Sequence, residues 1–376
     1  MKKSLGIYIH IPFCVQKCRY CDFCSFAGDG GEVRSAYATE LIRRIKEYGD
    51  SAREYEVDTV YFGGGTPSLM SVRDISRILN CVYHTFSVSG ASEITLECNP
   101  ATADRAYFDA LRGMGVNRIS MGLQSASDRE LSLLGRIHTV KDFENTFMDA
   151  RAAGFDNISA DLMYGIPDQD RESLLTSMRY LCDLSPEHIS AYGLMLEEGT
   201  YLERHRDSFH MADDDTQYEM YLDCTEYLRS RGYHKYEISN FSREGRHSRH
   251  NMRYWRGEEY IGFGVSAHSY FGGFRFGNSR DMDGFMRGGD ICEEREYIDG
   301  EGRREEYIML GLRLADGISA EEYRCRFGRE LYDDLPTLET RIEQGFLQRR
   351  DGSISFTDKG FFVSNAILSE LLTSDR

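Results

Sequence analysis

What most constrains this chain is an alternation in its first half. Short apolar segments at Leu5–Pro12, Val57–Phe62, Glu93–Glu97, Asn117–Gln124, Asn157–Tyr164 and His188–Leu194 read as strands. Amphipathic stretches separate them, at Ala36–Tyr48, Arg73–Phe86, Arg105–Met114, Val140–Ala153 and Arg171–Leu184. Parallel strands need crossovers of this length, and helices usually supply them. Six strand–helix units are two short of a closed eightfold barrel. The pattern therefore predicts an α/β fold, either a partial (β/α)6 TIM-like barrel or an open doubly wound sheet, and we favour the partial barrel. At 376 residues the chain also has room for a smaller second domain.

Both architectures bind ligands at the carboxyl ends of their strands, and five ends carry unusual polar residues. The first leads into Cys14-Val15-Gln16-Lys17-Cys18-Arg19-Tyr20-Cys21. Three thiols so spaced can wrap one face of an iron–sulfur cluster and leave one iron open to a cofactor or substrate. The alternative is a zinc knuckle, although closed zinc sites pair Cys-x2-Cys units. The second strand ends in Gly63-Gly64-Gly65-Thr66-Pro67, the third in Glu97-Cys98-Asn99-Pro100, the fourth in Gln124-Ser125, and the fifth runs through Asp161 to Gly165-Ile166-Pro167. A glycine loop can be a tight turn or a cradle for a bound molecule. Glu97 and Asp161, in otherwise apolar strands, call for partners, either a ribose diol or ammonium group or a buried salt bridge. Arg136 can grip a carboxylate in two-pronged fashion or merely cap a helix.

Composition narrows the function. A formal net charge of −17 argues against extended contact with nucleic acid. No apolar run reaches the roughly 18–20 residues of a membrane span, and Met1-Lys2-Lys3 leads straight into strand sequence without a signal-peptide core. Ten cysteines, three of them clustered, fit a reducing compartment better than a disulfide framework. The expected location is cytoplasmic.

Taken in order, Tyr8-Ile9-His10-Ile11-Pro12-Phe13-Cys14, the cysteine spacing and Gly63 to Pro67 resemble the radical S-adenosylmethionine (SAM) superfamily. With Glu97 to Pro100, Gly122-Leu123-Gln124-Ser125 and Asp161 to Pro167, the resemblance narrows to the oxygen-independent coproporphyrinogen III oxidase (HemN) and HemW group, over residues 8 to beyond 268. It implies that Cys14, Cys18 and Cys21 bind a [4Fe-4S] cluster whose open iron chelates SAM. It also implies that Tyr8 and Tyr20 flank cluster and cofactor, that Gly64, Gly65 and Thr66 meet the methionine amino end, and that Arg136 meets its carboxylate. Glu97, Gln124 and Asp161 would complete the pocket, with Met195 on the adenine side. An electron donor such as flavodoxin or ferredoxin would reduce the cluster. Cys24 departs from the HemN pattern, in which the extra cysteine falls where this chain has Phe23; we read Cys24 as a nearby free thiol.

Arg243 to Arg256 holds five arginines, His247, His250, Tyr254 and the only tryptophan, Trp255, within an acidic protein. This local basicity suggests an anionic ligand. His250-Asn251-Met252-Arg253-Tyr254-Trp255 resembles the HNxxYW motif of the HemW group, which implies haem held by His250 and covered by Trp255; the alternative is a structural loop. Only seven residues precede Tyr8, whereas HemN-type oxidases carry an added segment there. The leading expectation is therefore a haem chaperone that passes haem to an acceptor protein. Oxidative decarboxylation of a porphyrinogen is the competing enzyme reading, and a haem-degrading radical methyltransferase is a third.

The expected organisation is a barrel core over residues 1–232, an extension over 233–302 and a carboxyl-terminal domain over 303–376. Gly272–Gly302 reads as a mobile connection. Helical stretches Glu305–Leu314, Ala320–Phe327 and Leu331–Gln344, followed by a hairpin turning at Asp351-Gly352, predict a winged-helix-like domain. We expect it to serve as a lid over the barrel mouth or a docking surface for the acceptor, since fold alone does not fix function.

Overall fold

A computed structural model describes residues 2–28 and 30–373. The six predicted strands form as β1 (Lys3–Ile11), β2 (Tyr55–Gly64), β3 (Val88–Cys98), β4 (Arg118–Gln124), β5 (Ile158–Tyr164) and β6 (His188–Gly193). They pair in parallel, in sequence order. Helices α1 (Gly31–Glu47), α2 (Val72–Thr85), α3 (Arg105–Gly113), α4 (Asp128–Leu133), α5 (Val140–Ala152) and α6 (Arg171–Leu184) make the crossovers. Their starts follow local chemistry: Ser71, Asp104, Thr139 and Asp170 each accept a hydrogen bond from a first-turn backbone N–H. Thr139 and Asp142 form a reciprocal capping box.

Strand side chains alternate between two faces, and the faces differ in chemistry. Leu5, Ile7, Ile9, Val60, Phe62, Leu96, Ile119, Met121 and Leu162 point outward into the apolar core beneath the helices, all completely buried. Tyr8, His10, Thr59, Tyr61, Glu97, Arg118, Asp161 and His188 take the other face, so the barrel interior is polar.

The sheet continues beyond the six units. Strands β7 (His234–Lys235), β8 (Asn240–Ser242), β9 (Tyr260–Phe263), β10 (His268–Phe271), β11 (Phe274–Asn278) and β12 (Cys292–Tyr297) extend it, in the order β12-β11-β10-β9-β1-β2-β3-β4-β5-β6-β8-β7. β9 runs parallel to β1, whereas β8 runs antiparallel to β6. The terminal strands do not pair with each other, which leaves a partial barrel rather than a closed one. Gly272–Gly302 is not a bare connection, because β11 and β12 lie within it and pair over Phe274–Asn278 and Cys292–Tyr297. Helices α7 (Asp214–Ser230) and α8 (Arg249–Trp255) complete this half.

In the carboxyl-terminal part, α9 (Gly300–Gly311) and α10 (Ala320–Phe327) accompany a three-stranded sheet of β13 (Ile318–Ser319), which lies between them in the chain, β14 (Leu347–Arg350) and β15 (Ser353–Phe356). Asp351 and Gly352 turn the hairpin with φ of 51° and 81°, as a tight turn between twisted strands requires. The predicted helix at Leu331–Gln344 is split into Leu331–Asp334 and Leu338–Glu343, because Pro336 cannot continue it. No residue of this unit lines the mouth cavity, whose lining ends at Asp161 in the sequence. The unit packs instead beside α7 and α8, where Asp358 pairs with Lys235 and Arg229, and Arg313 lies over Trp255. Among the described residues no helix is long and apolar enough to cross a membrane.

Candidate cofactor site at the barrel mouth

The cysteine loop leaves β1 and is tied at both neck and tip. Phe13–Cys14 pairs in parallel with Phe26–Ala27, which closes the neck. At the tip the Arg19 amide donates to the Leu134 carbonyl at 2.9 Å, and the Gln16 side chain donates to the Gly135 carbonyl at 3.3 Å. Gly135 has φ of 71°, and a β-carbon there would stand 2.8 Å from Arg19 Cγ. Only glycine lets the loop settle so closely on the turn after α4. Tyr20 packs against a small apolar cluster that includes Leu134, Met163 and Ile166.

A cavity of about 150 Å³ opens beneath this loop. Cys14, Cys18 and Cys21 line one side; Tyr20, Gly64, Gly65, Thr66, Glu97, Gln124, Arg136 and Asp161 line the rest. Residues from five strand ends thus meet at one mouth. The glycines are required by space: a β-carbon on Gly64 would lie 2.6 Å from the His10 ring, and one on Gly65 would lie 2.7 Å from the Phe13 carbonyl and 3.0 Å from Cys14 Sγ. Gly122 likewise leaves room for Gln124 and Arg136. Gln124 itself has φ of 72°, a strained conformation of the kind that gathers at ligand sites.

Asn99, which sequence reasoning quoted only as part of a motif, joins the groups together. Its amide donates to Thr66 Oγ1 at 2.7 Å, and its oxygen accepts from Arg136 Nη2 at 3.0 Å. Arg136 also donates to the Gly122 carbonyl at 3.0 Å and reaches Cys18 Sγ at 3.6 Å, yet its buried Nε has no partner among the described residues. Phe23 lines the cavity whereas Cys24 is buried off it.

The two carboxyls carry the electrostatics. Burial pushes Glu97 up to about 7, against hydrogen bonds from the Tyr61 hydroxyl and the Gly64 amide and with Asp161 adding repulsion. Burial likewise raises Asp161 to about 6, with Arg118 and Arg136 pulling the other way. Both are poised to ionise when a cation arrives. An unpartnered guanidinium nitrogen, two buried carboxyls and a glycine cradle against a thiol suit a small zwitterion held beside a thiol-bound cluster.

Comparison with known proteins agrees. The radical SAM superfamily profile matches residues 8–181, and the HemN carboxyl-terminal domain profile matches residues 298–363. The structure superposes on Escherichia coli coproporphyrinogen III oxidase (HemN), a radical SAM enzyme, with a TM-score of 0.87 at 20% identity, over 99% of this chain and 91% of that one. The heme chaperone HemW of Escherichia coli is 34% identical over 98% of both chains, and that of Bacillus subtilis 32% identical over 97% of this chain and 98% of its own. The chain belongs to the HemW family of radical SAM proteins.

In this HemW-family chain the HNxxYW segment lies at the opposite end of the barrel from the cysteines. It forms α8, whose first amides, of Arg249 and His250, donate to the Glu93 carboxylate at 3.1 Å each. His250 is 1% exposed. Its Nδ1 pairs with Thr59 Oγ1 and its Nε2 with the Tyr254 hydroxyl, both at 2.8 Å. The ring stacks on Tyr8 and Tyr61, and burial beside Arg253 lowers it to about 3. Both nitrogens are engaged, so His250 is not presented as an iron ligand; it is part of the barrel floor. Trp255 packs under Arg313, whose guanidinium lies 5.8 Å from its ring. Tyr8 stands one layer below the mouth, bonded to His10 Nδ1 at 3.0 Å. Met195 is 65% exposed and away from the cavity lining. Tyr8 and Met195, expected beside the cluster and cofactor, are therefore not among the residues that line the mouth, because periodicity fixes which face a residue takes but not its height along the barrel.

Proposed function

We propose that this protein is a haem chaperone that carries a [4Fe-4S] cluster and S-adenosylmethionine at the barrel mouth, binds haem and passes it to an acceptor protein. The supporting observation is full-length likeness to proteins named heme chaperones at 32–34% identity, joined to a mouth that gathers three thiols and a zwitterion-complementary pocket. The likeness to the solved coproporphyrinogen III oxidase, at 20% identity, speaks for the fold alone.

In this reading Cys14, Cys18 and Cys21 hold the cluster. Arg136, fixed by Asn99 and Gly122, receives the cofactor's carboxylate, while Glu97 and Asp161 take its hydrogen-bond donors and balance its positive charge. Gly64 and Gly65 let it approach the backbone, and Tyr20 shields it from water. Cluster and cofactor together supply one-electron chemistry at the sulfonium when bound, with a flavodoxin or ferredoxin as the reductant. The chain has no use for nucleic acid, and the cytoplasm is the fitting location for its free thiols.

Anaerobic reconstitution with iron and sulfide, followed by separate haem titration and coproporphyrinogen turnover, tests the proposal. Haem binding with negligible turnover is expected. Efficient porphyrinogen decarboxylation would replace the chaperone reading with the oxidase.

A further inference from the structure

Four of the five arginines in the 243–256 stretch are consumed by the fold. Arg243 lies 4.6 Å from the Tyr233 ring, and Arg246 faces Asp156 at 3.5 Å. Arg249 donates to the Ala91 carbonyl at 2.7 Å, and buried Arg253 holds Asp58, Ser4 and the Glu259 carbonyl. Arg256, the residue that caps α8, alone of the five has a side chain with no hydrogen-bond or ion-pair partner among the described residues. It faces a cavity of about 420 Å³ shared with Arg303, Arg326, Tyr270, Tyr307 and Phe327.

The charge in that cavity is not cancelled. Glu306, on its wall, is held by Arg275 in a two-pronged pair. Arg303 donates only to neutral oxygens, the Ile298 carbonyl at 3.1 Å and the Tyr297 hydroxyl at 3.4 Å. Arg326 meets Glu322 at 3.6 Å with both side chains half exposed, a weak pair, and its guanidinium lies 5.0 Å from the Tyr307 ring. Three guanidinium groups thus gather around aromatic walls in a chain whose net charge is −17. Guanidinium forks match carboxylates, and aromatic faces match a flat ring system.

We propose that this cavity takes the propionate-bearing edge of haem. The inference rests on the haem-chaperone reading and adds a place for the ligand: between the end of α8, strand β10 and helices α9 and α10. It shares no lining residue with the mouth cavity, so haem and the cluster occupy separate sites. The basic segment noticed in the sequence contributes through Arg256, and not through His250.

The test is an absorbance titration of the reconstituted full chain with haem and with haem dimethyl ester, in wild type and in Arg256→Gln/Arg303→Gln. Haem should bind the double variant about tenfold or more weakly. The ester should bind wild type as weakly, and the variant should no longer distinguish ester from acid. Cluster absorbance and the SAM-induced spectral change must persist in the variant, as a check that it folds; the ester comparison in wild type needs no variant. Tight haem binding with no preference for the acid, or an unchanged affinity in the folded variant, overturns the site while leaving the chaperone reading intact. A wild type that does not bind haem overturns the chaperone reading itself, and the site with it.

Discussion

The two ends of the barrel are built from the same kinds of residue and do different work. At the floor, Thr59 and Tyr254 engage both ring nitrogens of His250, Glu93 takes the first amides of α8, and Arg253 is held by Asp58, Ser4 and the Glu259 carbonyl. At the mouth, Arg136, Glu97 and Asp161 line a cavity of about 150 Å³ together with three thiols. Each end keeps a buried arginine Nε without a partner among the described residues, on Arg253 and on Arg136. A polar atom left unpaired inside a barrel therefore does not by itself mark a ligand site. What marks one is such an atom on a side chain that lines open space among charged groups, where a ligand can supply the missing partner.

The sharpest break between the ends is expected from the thiols. Replacing Cys14, Cys18 or Cys21 by Ser should abolish the reconstituted cluster, measured as loss of its visible absorbance and electron paramagnetic resonance signal. Cys24→Ser should keep it, since Cys24 lies off the cavity. Retention of the cluster in Cys18→Ser with loss in Cys24→Ser would move the site.

At the floor a substitution should cost stability rather than binding. Arg253 is 1% exposed and tethers α8 to Asp58, Ser4 and Glu259 beneath β1. Arg253→Met leaves Asp58 without its buried partner and should lower unfolding stability by about 3 kcal/mol. The SAM-induced change in the cluster spectrum should persist in the folded fraction. Loss of that response at native-like stability would mean that the floor contributes to the cofactor site.

At the mouth the same type of substitution should do the reverse. Arg136→Ala removes one charge-assisted contact and should weaken SAM by roughly 1.5–3 kcal/mol, one to two decades in affinity. Equilibrium dialysis gives the affinity and thermal denaturation the stability. A large drop in melting temperature with unchanged affinity would turn Arg136 into a structural residue.

How far this contrast was legible beforehand follows from what each signal encodes. The six strands and the mouth residues were readable because period-2 alternation and strand-end glycines are local, and all strand ends of a parallel sheet open on one side. Asn99 was visible only inside a motif, since its role of joining Thr66 to Arg136 depends on two distant strands. Strand β9 was missed because Tyr260–Phe263 is four residues long and pairs with β1 across most of the sequence. His250 was expected at haem because the segment from His250 to Trp255 resembles the HNxxYW motif; the residues themselves were also open to a structural loop. The sequence does not show Thr59 and Tyr254 waiting for both ring nitrogens.

The smallest expected effect separates the two ends by pH. Glu97, near 7, and Asp161, near 6, are both raised by burial from ordinary values of 4.5 and 3.8. Between about pH 4 and 7 these two carboxyls in the cofactor-free folded chain therefore hold protons that the unfolded chain has released, and they contribute a loss of stability as pH rises through this window. The limiting slope is about 1.4 kcal/mol per pH unit for each proton so held, and the two carboxyls titrate as a pair. A bound sulfonium reverses the preference because it favours the ionised carboxylates, so SAM affinity should rise over the same range. Melting temperatures with and without SAM at pH 5.5 and 7.5 should diverge towards the higher pH, and Glu97→Gln should remove its share of the cofactor-free loss. His250, lowered by burial from an ordinary 6.5 to about 3 in the floor, acts with the opposite sign: between about pH 3 and 6.5 the unfolded chain holds a proton on it that the folded chain does not, so its contribution to stability rises with pH. His250→Phe should therefore remove a rising contribution where Glu97→Gln removes a falling one, and only Glu97→Gln should change the pH dependence of SAM binding. Equal stabilisation by SAM at both pH values would show that the carboxyls do not face the cofactor's positive charge.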